Sequence, residues 1–145
     1  MKVVLQRVTR ASVTIEKRMV GSIGVGYVIL VGFGPVDSEL AVGEMVEKII
    51  NLRVMADEGG MMNHSIIESK GSILVVSQFT LYADTSKGRR PFFGGAADPE
   101  EAKLMYELFL SKLREYEIHI QSGEFGALMQ VELVNDGPVT ILLES

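Results

Sequence analysis

The stretch Tyr27-Val28-Ile29-Leu30-Val31-Gly32-Phe33 is apolar at nearly every position and rich in β-branched and aromatic residues. It is too short for a typical helix, and glycines precede it while Gly34-Pro35 stops it. It therefore reads as a central strand covered on both faces. Upstream, Lys2 to Ile15 alternates loosely and is rich in Val, Thr and Ile, as expected of a strand with one buried face. A turn near Glu16 to Arg18 returns it, and Gly21, Gly24 and Gly26 belong to a hairpin, since their order does not match a dinucleotide fingerprint.

Downstream, Val42, Met45, Val46 and Ile49 fall at helical spacing within Ser38 to Leu52. Ser72 to Leu81 reads as another strand, its apolar residues running into the polar Ser77 and Gln78. A second helix is signalled by Asp98 as N-cap, Pro99 at the first helical position and Glu101 three residues after the cap. Its expected buried stripe is Leu104, Met105, Leu108, Phe109 and Leu113. Two further strand-like runs, Met129 to Val134 and Val139 to Leu143, are separated by Asn135-Asp136-Gly137-Pro138, which reads as a tight turn. The expected fold is α+β, with several largely antiparallel strands and two main helices packed on one side.

Composition narrows the function. At 145 residues, 47% hydrophobic and 23% charged, the chain has the balance of one globular domain. Its apolar runs fall far short of the roughly 20 residues that cross a bilayer, and its N-terminus does not read as a signal peptide. A cytoplasmic location without membrane contact is expected. Zero cysteines leave no disulfide, thiolate nucleophile or cysteine zinc site. The two histidines, His64 and His119, share no metal-binding spacing, so neither a metal nor a cofactor is expected. A net charge of −5 argues against gripping nucleic acid by bulk counterion release, so such a partner needs a local patch. Lys87, Arg89 and Arg90, beside Phe92 and Phe93, supply one, although a short charge run can also be a solvated loop.

Three segments carry candidate chemistry: Ser77-Gln78-Phe79-Thr80-Leu81, Lys87-Gly88-Arg89-Arg90-Pro91, and Asn135-Asp136-Gly137-Pro138-Val139-Thr140. Ser77 and Thr80 are potential nucleophiles, but a hydroxyl nucleophile ordinarily needs an adjacent base, and none is visible nearby. The alternative is that these hydroxyls satisfy backbone groups at a strand end. Gly137-Pro138, taken alone, is most often an ordinary trans turn. In this order and at this length, the set resembles the D-aminoacyl-tRNA deacylase family, and the resemblance extends from Gln6-Arg7-Val8 through Gly123-Glu124-Phe125-Gly126 to the closing strand.

The resemblance implies a single deacylase domain over 1–145, β-barrel-like, acting as a homodimer on aminoacyl-tRNA. The activity it implies is hydrolysis of the ester between a D-amino acid and the 3′ end of tRNA, a chiral proofreading step that glycine would also enter. It places Ser77, Gln78, Phe79 and Thr80 in the pocket for the terminal adenosine and its amino acid, with Met129 among the substrate-binding residues. It makes Gly137-Pro138 a cis peptide reaching into the partner's active site, with Arg7 helping to hold that loop. Lys87, Arg89 and Arg90 become candidate tRNA contacts. Two rivals differ in kind: a non-catalytic module that binds RNA ends through the basic loop, with Phe92 and Phe93 stacking on unpaired bases, and a generic esterase or peptidase using Thr80 or Ser77 with the distant His119.

Overall fold

A computed structural model describes residues 1–145. Strand β1 (Lys2–Ile15) is the spine. On one edge it pairs antiparallel with β2 (Arg18–Ile23) through its second half and with β3 (Gly26–Gly32) through its first. The turn between β1 and β2 falls at Glu16 and Lys17, which have φ of 48° and 67°. Helix α1 (Glu39–Asn51) follows, its start fixed by the Ser38 hydroxyl, which accepts from the Ala41 amide at 3.2 Å. A small hairpin, β4 (Met55–Ala56) with β5 (Met62–His64), leads to β6 (Ser72–Ser77). Helix α2 (Pro99–Leu113), β7 (His119–Ser122) and β8 (Gln130–Glu144) complete the chain.

The pairing is more mixed than the sequence suggests. β1 is antiparallel to β2, β3 and β8, but β6 runs parallel to β3 and to β7. Parallel neighbours cannot be joined by a tight hairpin. Here α1 lies between β3 and β6 in the chain, and α2 between β6 and β7. The sheet order is β2-β1-β3-β6-β7, with β8 on the other edge of β1, and the sheet curls so that Gly21 of β2 meets Leu74 of β6 and Gln121 and Ser122 of β7. The result is a nearly closed barrel with both helices on one outer face.

Alternation along β3 and β6 divides the core in two. Tyr27, Ile29, Val31, Ile73 and Val75 join the larger cluster with α1 and α2. Val28, Leu74 and Val76 point the other way, into a smaller cluster with Val8, Ala11, Val13 and Ile23 inside the curl. The central strand is thus buried on both faces, as its unbroken apolar run requires.

Two local expectations change. Helix α2 buries Ala102, Tyr106, Phe109, Leu110 and Leu113, while Leu104 is 64% exposed. The stripe is rotated because Tyr106 faces inward, its hydroxyl donating to the Val75 carbonyl at 3.0 Å. At the start of α2 the Asp98 side chain makes no capping bond, and its carbonyl accepts from Ala102 at 2.8 Å.

Burial raises the phenols of Tyr27, Tyr82 and Tyr106 above the ordinary 10.0, the last two to about 12. Raised folded-state values give stability that is complete below pH 10 and lost as pH climbs toward 12. Absorbance titration should show three phenols ionising late in the folded protein and near pH 10 in urea, and early ionisation of all of them would contradict this packing. Phe109 is fully buried and meets Phe33 edge-on at 6.5 Å. Phe109→Ala is expected to cost about 3–5 kcal/mol in denaturant unfolding. Leu104→Ala should stay within about 0.5 kcal/mol, the reverse of what the sequence pattern alone implies.

Candidate functional site

Three segments converge on the carboxyl ends of β3 and β6. The Gln78 amide donates to the Val31 carbonyl at 2.8 Å, Ala97 to Phe33 at 2.9 Å, and Gly123 to Val75 at 2.9 Å. They surround a cavity of about 530 Å³ lined by 17 residues, 12 of them hydrophobic. Ser77, Gln78, Phe79 and Met129 are all among them. None of the 17 is ionisable, so the cavity suits a flat, uncharged group and offers no side-chain acid or base.

The segment after β6 is not the strand continuing to Leu81 that the pattern suggests. β6 ends at Ser77, and Phe79–Tyr82 forms a single 3-10 turn. Gln78, with φ of −145° and ψ of 79°, makes the corner. The corner leaves Phe79 58% exposed at the rim and Thr80 exposed just outside the cavity. The Gln78 side-chain amide donates to the Thr80 hydroxyl oxygen. An amide cannot take a proton from that hydroxyl, so Thr80 has no base beside it. His119 lies on β7 and is exposed rather than partly buried, its ring paired with Gln121 at 3.2 Å.

Arg7, Gly137 and Pro138 form a separate assembly. β8 does not turn back at Asn135-Asp136-Gly137-Pro138; both halves stay paired to β1 in one antiparallel direction. Gln6 faces Thr140 and Val8 faces Asn135, so four residues of β8 bulge out opposite the single residue Arg7. The base of the bulge is closed by the Asn135 side chain, whose Oδ1 accepts from the Val139 amide at 2.9 Å and whose Nδ2 donates to the Thr140 hydroxyl oxygen at 2.9 Å. Arg7, only 8% exposed, donates Nη1 to the Val54 carbonyl at 2.8 Å and Nε to the Asp136 carbonyl at 3.3 Å. It also pairs with the Asp136 carboxylate at 3.2 Å. The Gly137-Pro138 bond is cis. Gly137 has φ of 120°, and a side chain there would meet Arg7 Nη2 at 3.0 Å. Both Gly137 and Pro138 are exposed, and neither lines the cavity of its own chain.

The family-model description "D-Tyr-tRNA(Tyr) deacylase" matches residues 4–144. A D-aminoacyl-tRNA deacylase of Shouchella clausii is 52% identical over 145 residues, covering 100% of this chain and 99% of that protein. The chain belongs to this deacylase family. Another D-aminoacyl-tRNA deacylase, of Limosilactobacillus reuteri, is 52% identical over 144 residues, with 99% of each chain covered. Among solved structures, "c-Myc DNA Unwinding Element Binding Protein" superposes with a TM-score of 0.95 at 47% identity, covering 100% of this chain and 99% of that one. A probable eukaryotic D-amino acid tRNA deacylase shares the fold at a TM-score of 0.85 and 17% identity, over 98% of this chain and 97% of that one.

In this deacylase-family chain, Lys87, Arg89 and Arg90 occupy an exposed loop whose ends are held by the antiparallel bridge between Asp84 and Phe92. Phe93 then packs edge-on against Phe79 at 5.1 Å, which anchors the loop to the cavity rim. Sequence reading missed the far wall, Ala96, Ala97, Pro99 and Ala102, because small apolar residues advertise no chemistry. Phe125 and Gly126, whose sequence signals no role of their own, also line the cavity.

Arg7→Ala should remove charged hydrogen bonds and leave the Val54 carbonyl unpaired, costing about 2–3 kcal/mol in urea unfolding. Unchanged stability would show that the guanidinium does not hold the bulge.

Proposed function

We propose that the chain hydrolyses the ester joining a D-amino acid to the 3′ end of tRNA, a proofreading step in translation carried out by one domain spanning 1–145. The observation that carries the mechanism is a cavity without a single ionisable side chain, next to a threonine without a base. An aminoacyl ester on a ribose is already activated, so the protein need only place it and stabilise the oxyanion. The terminal adenosine enters the apolar cavity between Phe79 and Met129, with Ser77 and Gln78 beneath it. The first amides of a 3-10 turn have no acceptor within it, so those of Phe79 and Thr80 are placed to donate to the oxyanion. Water adds to the carbonyl carbon, assisted by the ribose 2′-hydroxyl beside the ester. Thr80 positions rather than attacks.

Selection of handedness falls to Gly137 and Pro138 of a second copy. The bulge that carries them is exposed and held by Arg7, and it lies outside the cavity of its own chain. β8 pairs only with β1, and Val134 and Leu142 on the same strand expose apolar surface, as a strand waiting for a partner does. Proline has a fixed φ and no side-chain freedom, so a Gly-Pro wall reads the substituents of the α carbon without reading the side chain. An L-residue would collide with it. Glycine, with nothing to exclude, enters. Lys87, Arg89 and Arg90 meet acceptor-end phosphates, and the −5 overall charge keeps that grip weak enough for release. Translation supplies the substrate in the cytoplasm, so the proposed activity calls for work there; no helix is long and apolar enough to cross a membrane.

Matched D- and L-tyrosyl-tRNA provide the test: release of D-tyrosine should be on the order of a hundred-fold faster, and equal rates would reject chiral selection. D-tyrosyl-tRNA ending in 2′-deoxyadenosine should lose on the order of a hundred-fold in rate. Normal turnover of that substrate would return the nucleophile's role to Thr80.

A further inference from the structure

The cavity takes a single nucleoside, yet the 3′ end of a tRNA is an unpaired strand, and its preceding bases must lie across the protein surface beside the mouth. Phe92 is 67% exposed there, and its presentation is built rather than incidental. Its amide donates to Asp84 at 2.9 Å and its carbonyl accepts from Asp84 at 2.7 Å, so its backbone is clamped. Asp84 is fixed in turn, its carboxylate accepting from the Ser86 amide at 2.8 Å. The tip of the Phe92 ring lies over Gly94: a β-carbon on that glycine would sit 2.3 Å from the ring Cζ and 2.4 Å from Cε1. Backbone clamp and glycine seat together fix where the ring stands, leaving much of it open to solvent.

The neighbours indicate what it meets. Phe93 touches the rim residue Phe79 at 5.1 Å, and Ala96 and Ala97 already line the cavity. Earlier in the same loop stand Lys87, Arg89 and Arg90, all exposed. An exposed aromatic that follows three cations in the chain and directly precedes the residue packed on the cavity rim offers, in chain order, the parts that a single strand requires: phosphates, stacked base, base. We propose that Phe92 is a stacking platform for the unpaired nucleotide preceding the terminal adenosine. The inference rests on the deacylase reading and extends it from the reacting end to the strand behind it.

Two substrates separate the platform from the reaction centre: D-tyrosyl-tRNA, and D-tyrosyl-adenosine, which has no preceding base. Phe92→Ala and Phe92→Leu should raise KM for the tRNA about ten-fold with kcat unchanged, and leave cleavage of the adenosine ester as it is. Phe92→Tyr, which keeps the ring, should behave as wild type. Gly94→Ala, which displaces the ring without removing it, should follow Phe92→Ala. An unchanged KM for tRNA, or equal losses on both substrates, would overturn the platform. So would a weaker homodimer in sedimentation with tRNA kinetics intact, which would reassign Phe92 to a subunit contact. Failure of the wild-type protein to cleave either substrate is a different result: it removes the deacylase reading and the platform with it.

Discussion

Every part of this protein is hung on the hydrogen-bond ladders of β1, a strand that pairs along both edges. One edge is shared by β3 and β2, and the other is taken by β8 over nearly its whole length. The ladder on the β8 side is interrupted between Gln6 and Val8, where one residue of β1 faces four of β8. Backbone groups that leave a ladder need other partners. Arg7 supplies them, tying Asp136 of the bulge and Val54 behind it to one buried guanidinium. The same strand that organises the barrel thereby holds an irregular loop in a fixed place on its surface.

The cavity and the bulge are separate features of one chain. The cavity, at the ends of two parallel strands, is apolar and uncharged, which suits a flat, uncharged group and supplies no side-chain acid or base. The bulge is exposed and does not line the cavity of its own chain. In the symmetric dimer proposed above, each copy would give its bulge to the other's cavity, because whatever one copy gives it also receives. On that proposal handedness is read by main chain, which can contact an α carbon whatever side chain it bears.

Much of the fold is legible in the sequence. The unbroken run from Tyr27 to Phe33 signals burial on both faces, and Ser38 with the spacing of Val42, Met45, Val46 and Ile49 marks α1, because local periodicity reports local burial. Strand direction is not local: nothing in Ser72 to Ser77 says that it will lie parallel to β3. Nor does Asn135-Asp136-Gly137-Pro138 distinguish a chain reversal from a bulge, since both call for the same residues, and the answer lies with Arg7, some 129 positions away. Leu104 misleads because a leucine beside an inward tyrosine looks like the better core residue. Of the site, the polar corner at Ser77 to Thr80 was readable from its hydroxyls and amide, whereas the alanines of the opposite wall carry no signal until the backbone brings them there.

The proposed division of each site between two copies is tested most directly with mixed dimers. One chain carries Ala97→Leu, which adds bulk inside the cavity and should be inactive alone; the other carries Gly137→Ala with Pro138→Ala, which removes the wall and alone should cleave D- and L-tyrosyl-tRNA alike. The mixed dimer, purified by a different tag on each chain, should cleave D-tyrosyl-tRNA at about half the wild-type rate and spare the L-ester, because its one open cavity faces an intact wall. A mixed dimer that cleaves both enantiomers would contradict a shared site.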